Sequence, residues 1–171
     1  MADLLLSVKN LRTYFPFGSR WQGTRDIVKA VDDVDLKIER GKVLGLVGES
    51  GSGKTTFGRS VLRLVEPTSG EIFFDGQDIL RLKSRDMRML RRRMQIIFQD
   101  PYATLNPRIQ VRQIIAEPLR FHGMVPSGKI EERIRELLAS VGMEPYFMYR
   151  YPHEFSGGQR QRIAIARALS M

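Results

Sequence analysis

The chain has 171 residues, which is enough for one domain with a hydrophobic core but short for two. A composition of 42% hydrophobic and 27% charged residues excludes an intrinsically disordered protein. The absence of cysteine excludes disulfides and thiolate metal sites, and no apolar run approaches the roughly 18 residues of a membrane span. The first residues, MADLLLSVKN, hold too short an apolar patch for a signal peptide, so we expect a soluble or peripheral protein.

The net charge of +9 raises the question of a nucleic-acid or membrane partner. Part of this charge lies in one arginine cluster, formed by Arg85, Arg88, Arg91, Arg92 and Arg93. No aromatic side chains alternate with these arginines, as they do in proteins that stack single-stranded nucleic acid. We therefore expect a solvated helix face and no nucleic-acid partner.

The hydrophobic pattern of the first half indicates strands around one helix. Weak alternation over Leu6–Leu11 predicts an edge strand, and the apolar residues of 28–38 predict a second strand. The apolar run Val43–Val47 is short and continuous, which predicts a buried strand. From Thr55 the apolar residues recur at helical spacing until the Glu66-Pro67 pair, where the helix should end.

The second half changes in character to helices and loops after one further strand candidate. The predicted elements are a helix over 84–93, a buried strand Met94–Phe98, a helix over 111–121 interrupted by Pro118, and a helix over 129–141 that Gly142 ends. The sequence has no internal repeat and no low-complexity tract.

A glycine-rich loop follows the Val43–Val47 run. It matches the phosphate-binding loop G-x-x-x-x-G-K-[ST] at the four fixed positions, Gly48, Gly53, Lys54 and Thr55. Glycines leave backbone N–H groups open to a polyphosphate, Lys54 can reach the β- and γ-phosphates, and the Thr55 hydroxyl can ligate Mg²⁺. The alternative is a glycine-rich turn without a ligand, but strand, loop and helix all lie where the motif needs them. The sequence therefore predicts a nucleoside triphosphate site.

A second glycine-containing helix start lies in FSGGQRQRIAIARAL, residues 155–169. Ser156, with Gln159 three residues later, forms a capping box that any well-formed helix can use. Two adjacent glycines, Gly157 and Gly158, also remove side chains from this N-terminus and leave it open to an anion. The chain thus has two helix N-termini suited to phosphate, and neither spacing nor composition indicates that they share one ligand.

The order of GESGSGKTT, a glutamine at Gln99 after a strand candidate, and FSGGQRQRIAIARAL resembles the nucleotide-binding subunit of an ABC transporter. The similarity runs from about Val8 to the final residue. More narrowly, KAVDDVDLKIERG, QDPYATLNPR and RYPHEFSGGQRQR are similar to the ATPases of the dipeptide and oligopeptide importer group. Because that group includes members that handle nickel and other small solutes, the sequence indicates the substrate less sharply than the family.

The resemblance implies an ATP site shared by two such domains in a head-to-tail dimer. Lys54 and Gln99 would be the catalytic residues of this chain, Thr55 and Gln99 would contact Mg²⁺, and the residues after Gln99 would face a transmembrane permease subunit. Phe15 falls where the family places an aromatic ring against adenine, and Tyr14 is its rival. The phosphate loop would bind ATP through Gly48, Glu49, Ser50, Gly51, Ser52, Gly53, Lys54, Thr55 and Thr56. The γ-phosphate of the ATP held by the second ATPase subunit would contact Ser156, Gly157, Gly158 and Gln159.

The chain departs from the family's pattern at two places. A complete subunit continues past the signature helix into the Walker B strand, with an Asp for Mg²⁺ and a Glu that positions water, and then to a switch His. The sequence stops at Met171, before these residues, so we expect the 171-residue chain alone to be inactive in hydrolysis. Phe155 also replaces the commoner Leu at the first signature position, which is a mild apolar change.

These motifs predict an α/β fold, a phosphate-loop NTPase core of the ABC ATPase type whose C-terminal part is missing. We expect a nucleotide-binding core with a β-rich edge over 1–99, a helical subdomain over 100–155 and the signature helix over 156–171. The expected function is to power an importer for peptides or similar small solutes, at the cytoplasmic face of the cell membrane. The alternatives are a truncated nucleotide-binding protein without turnover, a soluble ABC ATPase outside transport, and a small-molecule kinase.

Overall fold

The computed structural model describes residues 3–17, 26–99 and 105–171. The chain forms two compact units, Met1–Arg91 and Arg92–Met171. The division falls ahead of the boundary expected at residue 99. The segment Met94–Phe98, which was expected to complete the core of the first unit, forms no strand and belongs to the second unit.

The first unit is built on a four-stranded antiparallel sheet with the order β2-β1-β3-β4. Its strands are β1 Leu4–Phe17, β2 Asp26–Glu39, β3 Ser69–Phe74 and β4 Gln77–Asp78. The expectation of a short edge strand over Leu6–Leu11 is wrong, because β1 has 14 residues and pairs on both sides. Its second partner, β3, lies far along the chain, and a local hydrophobic pattern does not reveal such pairing.

A bulge in β1 decides which of its side chains face the core. Asn10 adopts a left-handed conformation with φ of 47°. Around it, the pairing of β1 changes register with β2 between Val8 and Leu11, and with β3 between Lys9 and Arg12. The inward-facing positions therefore shift, and Leu11 and Thr13 are buried beyond the bulge. The bulge thus turns the Thr13 hydroxyl into the core of the unit.

Two helices complete the first unit, α1 Lys54–Val61 and α2 Ser84–Leu90. A 3-10 turn, Arg91–Arg93, follows α2, so the helix expected over 84–93 is confirmed with a tightened last turn. Helix α1 buries Phe57 and Val61, and it ends earlier than the apolar pattern suggested.

Neither of the two expected buried strands is formed. Val43–Val47 has no regular structure, and the side chains of Val43 and Val47 are 99% and 94% exposed. Met94–Phe98 is also irregular, and Ile97 is 45% exposed. A strand needs a hydrogen-bonded neighbour, and none of the strands in the described ranges pairs with either segment. The apolar composition was read correctly, but the burial inferred from it is wrong for these residues.

The second unit is helical. It contains α3 Val111–His122, α4 Ile130–Ser140 and α5 Gly157–Ala168, with 3-10 turns at Ser127–Lys129, Pro145–Tyr149 and Pro152–Glu154. The expected interruption at Pro118 is wrong, because α3 continues through this residue to Gly123, which ends it with φ of 61°. The predicted stripe on α4 is confirmed, with Ile130 and Ile134 buried on one face.

The three longer helices of the second unit share one hydrophobic core. Its members include Ile115 and Leu119 of α3, Leu138 of α4, and Ile163 of α5. Helix α5 therefore packs as part of the helical unit and not as a separate segment after it. No helix in the part of the chain that the structure describes has the length and apolarity needed to cross a lipid bilayer.

Candidate phosphate-binding site

The N-terminus of α1 is left open by its sequence. Gly53 is the residue that precedes the helix, its φ is 87°, and no side chain accepts a hydrogen bond from the first turn. A Cβ atom at Gly53 would lie 2.0 Å from the carbonyl oxygen of Ala30, and one at Gly48 would lie 2.7 Å from the Ser52 hydroxyl. Only glycine fits Gly53, both for its conformation and for its space. The unpaired N–H groups and the positive end of the helix dipole thus face the loop.

The ammonium of Lys54 lies inside the glycine-rich loop. Its Nζ donates hydrogen bonds to the carbonyl oxygens of Gly48 at 2.7 Å and Glu49 at 2.5 Å, and to the Ser52 hydroxyl at 3.1 Å. These oxygens hold the positive charge where the motif needs it for a polyphosphate. Phosphate oxygens are acceptors of the same kind and carry a full negative charge, so they can replace these contacts.

A pocket of about 400 Å³ lies between the loop and β2. The loop contributes Gly48, Ser52 and Lys54 to its wall, and β2 contributes Lys29 and Asp32. Neither Lys29 nor Asp32 was singled out in the sequence. No local signal marks them, because the loop and β2 meet through tertiary packing.

A buried pair of hydroxyl groups fastens α1 to the sheet. The Thr13 hydroxyl on β1 lies 2.9 Å from the Ser60 hydroxyl on α1, and both residues are buried. Each hydroxyl satisfies the other, which avoids the cost of an unpaired polar group in the core. This bond fixes the helix that carries Lys54 and Thr55 relative to β1.

Two arginines hold the residues just after the C-terminal end of α1 against other parts of the first unit. Arg63 donates to the carbonyl oxygens of Ile79 at 2.8 Å and Leu82 at 2.9 Å, and Arg91 donates to the carbonyl oxygen of Arg63 at 2.8 Å. Arg63 also forms a two-pronged ion pair with Glu66, at 2.5 and 3.1 Å. Hydrogen bonding to Arg63 lowers the pKa of Glu66, and the same bond raises the pKa of Arg63.

The two aromatic residues near the end of β1 have different surroundings. The Tyr14 hydroxyl donates a hydrogen bond to Asp32, and this bond is the main reason that the pKa of Asp32 is lowered and that of Tyr14 is raised. The Lys29 ammonium also lies 5.5 Å from the centre of the Tyr14 ring. Phe15 is 40% exposed, and neither aromatic ring belongs to the wall of the loop pocket.

The signature segment begins α5 in the second unit. The Ser156 hydroxyl accepts the Gln159 N–H at 3.3 Å, and the Gln159 side chain accepts the Ser156 N–H at 3.0 Å, so the predicted capping box is confirmed. A Cβ atom at Gly158 would meet nothing within 4 Å. Gln99 also belongs to the second unit, is exposed, and has no strand before it. The segment expected to face the permease runs from residue 100 to about residue 120, and its residues 100–104 lie outside the described residues.

The residues expected to bind a metal fit only part of a magnesium shell. Thr55 offers a hard hydroxyl oxygen at the N-terminus of α1, next to Lys54. Mg²⁺ is usually bound through such oxygens together with substrate phosphates and one or two carboxylates. Within 3–17, 26–99 and 105–171, no group of three or more histidine, cysteine, aspartate or glutamate residues could hold a metal ion.

A glycine-rich loop that opens a helix N-terminus around a lysine ammonium defines a phosphate-loop nucleotide-binding domain. This class agrees with a comparison of the whole sequence against protein families. The chain belongs to the ABC transporter family, whose model matches residues 31–171. Family membership does not favour the small-molecule kinase alternative.

Two relatives from Bacillus subtilis are similar over the whole chain. The oligopeptide transport ATP-binding protein AppF is 49% identical over 99% of this chain and 52% of its own length. The oligopeptide transport ATP-binding protein OppF is 50% identical over 100% of this chain and 55% of its own length. The chain therefore spans about half the length of the curated relatives it matches.

A solved structure supports the same fold. The dimeric post-hydrolysis state of the ATP-binding cassette MJ0796, bound to ADP and Pi, aligns with a TM-score of 0.81 and 31% sequence identity. The alignment covers 96% of this chain and 69% of that one. The α/β fold of an ABC ATPase expected from the sequence is thus confirmed.

Proposed function

We propose that this chain carries the phosphate loop and signature helix of an ATP-binding subunit that powers an ABC importer for peptides or similar small solutes. The observation that carries the proposal is the uncapped N-terminus of α1, with the Lys54 ammonium held in the loop beside it. The solute class is supported by two relatives with 49% and 50% sequence identity, both named as oligopeptide transport ATP-binding proteins.

ATP binds through the loop residues 48–56, with its phosphates at the start of α1. The helix N–H groups and Lys54 neutralise phosphate charge, which is the main contribution a protein makes to phosphoryl transfer. We assign the adenine contact to Phe15 and not to Tyr14. The Tyr14 hydroxyl already donates a hydrogen bond to Asp32, and its ring contacts the Lys29 ammonium. Phe15 is exposed, and its ring can stack on a base.

In the first unit, magnesium would be held by the Thr55 hydroxyl together with the phosphates. When bound, the ion neutralises charge on the β- and γ-phosphate oxygens. Thr55 supplies a hydroxyl and no carboxylate. Gln99, the second metal ligand that the resemblance implies, belongs to the second unit.

The proposed partners are a second ABC ATPase subunit and transmembrane permease subunits. The signature residues 156–159 would contact the ATP held by the second subunit. The dimeric state of the MJ0796 cassette supports a dimer of such domains. The permease would place the protein peripherally at the cytoplasmic face of the membrane. No nucleic-acid partner is proposed. Arg91 of the basic cluster donates hydrogen bonds to the backbone carbonyl oxygens of Leu62 and Arg63, just after α1.

The decisive test compares two lysine substitutions by titration calorimetry with MgATP. Lys54→Ala should weaken binding at least tenfold, about 1.4 kcal/mol, because the loop loses its fixed charge. Lys42→Ala is the matched control, since Lys42 is an exposed lysine just before Val43–Val47 and outside the pocket wall. Equal MgATP affinity for wild type and Lys54→Ala would contradict the proposed site.

A further inference from the structure

A second lysine lies at the loop pocket, on a strand that the phosphate-binding motif does not include. Lys29 is on β2 and contributes to the pocket wall with Gly48 and Lys54. A strand lysine is most often a solvated side chain with no specific role. Three observations separate Lys29 from that ordinary case.

The first observation is the direct packing of β2 against the loop. A Cβ atom at Gly53 would meet both the carbonyl oxygen of Ala30 and, at 4.0 Å, the side chain of Val31. The β2 backbone therefore packs closely against Gly53, the residue that precedes α1. Lys29 is the chain neighbour of Ala30, so its position beside the phosphate loop is fixed by backbone packing.

The second observation is the way in which the Lys29 side chain is held. Its Nζ lies 3.3 Å from one carboxylate oxygen of Asp32, whose other oxygen accepts the Tyr14 hydroxyl. Its ammonium also lies 5.5 Å from the Tyr14 ring, a distance typical of a cation–π contact. Two contacts on one side orient the ammonium and reduce the entropy that binding would otherwise remove.

The third observation is the number of donors left over. An ammonium group has three N–H donors, and the described contacts of Lys29 use one of them, on Asp32. The side chain is 59% exposed, so the remaining donors are accessible. A polyphosphate in the pocket could accept hydrogen bonds from these donors, since Lys29 and Lys54 both line it.

We propose that Lys29 is a second cationic contact for the phosphates of the bound nucleotide, added to Lys54 and the helix N-terminus. This inference rests on the proposed ATP site. It assigns to this chain a contact that the G-x-x-x-x-G-K-[ST] motif does not contain. An exposed, oriented ammonium contributes modestly to MgATP affinity, so Lys29 should add a smaller part of the binding free energy than Lys54 does.

The test is MgATP titration of the full 171-residue chain carrying Lys29→Met, which keeps a long side chain and removes the charge. Affinity should fall about three- to fivefold. Lys37→Met is the matched control, because Lys37 is an exposed lysine on the same strand outside the pocket. It should bind as wild type does. Lys29→Arg should retain the affinity, and the Lys29→Met loss should shrink at high salt, whereas a merely structural role would show neither effect.

The outcomes separate this inference from the proposed function. If Lys54→Ala weakens binding while Lys29→Met matches Lys37→Met, the inference is overturned and the ATP site stands. If Lys54→Ala binds as wild type does, or if wild type itself does not bind MgATP, both are overturned. Equal thermal midpoints for the two methionine variants confirm that any difference in affinity does not reflect unfolding.

Discussion

The two helix N-termini that the sequence offers for phosphate differ in their backbone and their caps. Helix α1 begins at a left-handed glycine with no side-chain cap, whereas α5 begins at an extended serine whose capping box satisfies two N–H groups. An uncapped N-terminus leaves its donors for a ligand, and a capped one has already used part of them. We infer that α1 binds phosphate within one chain, and that α5 needs an approaching ATP on a second subunit.

The glycines at the two sites also differ in why they are present. Gly53 is enforced, since any Cβ would collide with the Ala30 carbonyl and the backbone is left-handed. Gly158 has no such steric constraint, because a Cβ atom there would meet nothing within 4 Å. A glycine that the fold does not require is consistent with a close approach from outside, which is the role proposed for the signature.

The largest effect should come from alanine at Gly53, with alanine at Gly158 as the comparison. Gly53→Ala should lower the free energy of unfolding by about 3 kcal/mol, through its left-handed backbone and the clash with Ala30. Gly158→Ala should leave the free energy of unfolding within about 1 kcal/mol of wild type, because alanine favours a helix and meets no neighbour. Urea denaturation of both variants makes the comparison. Equal losses would contradict the distinction between an enforced glycine and a free one.

The next effect concerns the cap of α5. Ser156→Ala should lower the free energy of unfolding by about 1 kcal/mol, since the Gln159 N–H loses its acceptor. MgATP affinity of the single chain should not change, because the proposed function assigns α5 to the nucleotide of another subunit. Urea denaturation and calorimetry on one preparation measure both quantities. Ser140→Ala is the control for loss of a hydroxyl, because the Ser140 hydroxyl donates a hydrogen bond to a backbone carbonyl at the end of α4. A large loss of MgATP affinity would mean that the signature acts within its own chain.

The smallest effect concerns the opposite end of α1, where Arg63 pairs with Glu66. The pKa of Glu66 is lowered in the folded protein, so its contribution to stability is present above the unfolded pKa and is lost as pH falls through the folded pKa. Because the Glu66 side chain is 65% exposed, screening limits this contribution to about 0.5 kcal/mol. Glu66→Gln should remove it, so the difference in unfolding free energy from wild type should be present at pH 7 and absent below the folded pKa. An equal difference at both pH values would show that the carboxylate charge is not involved.

Features set by neighbouring residues were predictable from the sequence. The capping box at Ser156, the buried stripe of α4 and the phosphate loop all depend on spacing within about one or two helical turns. The family resemblance rests on the same short motifs, and the comparison with relatives confirmed it.

Features set by distant partners were not predictable. The interior place of β1 depends on its pairing with β3, which lies far along the chain. The exposure of Val43 and Val47 reflects the lack of a paired strand among the described residues. Lys29 joins the loop pocket only because Ala30 packs against Gly53. A hydrophobic pattern reports which residues favour burial, but it does not report what buries them.

The contrast between the open and the capped helix start can be measured directly by amide NMR of the monomeric chain with MgATP. The N–H resonances of Gly51, Gly53, Lys54 and Thr55 should shift as nucleotide is added. Those of Gly157, Gly158 and Gln159 should stay where they are, since the proposed function assigns these residues to the ATP of a second subunit. Shifts of similar size at Gly158 and Gly53 in the monomer, or shifts at Gly158 alone, would contradict the assignment of the phosphate site to α1.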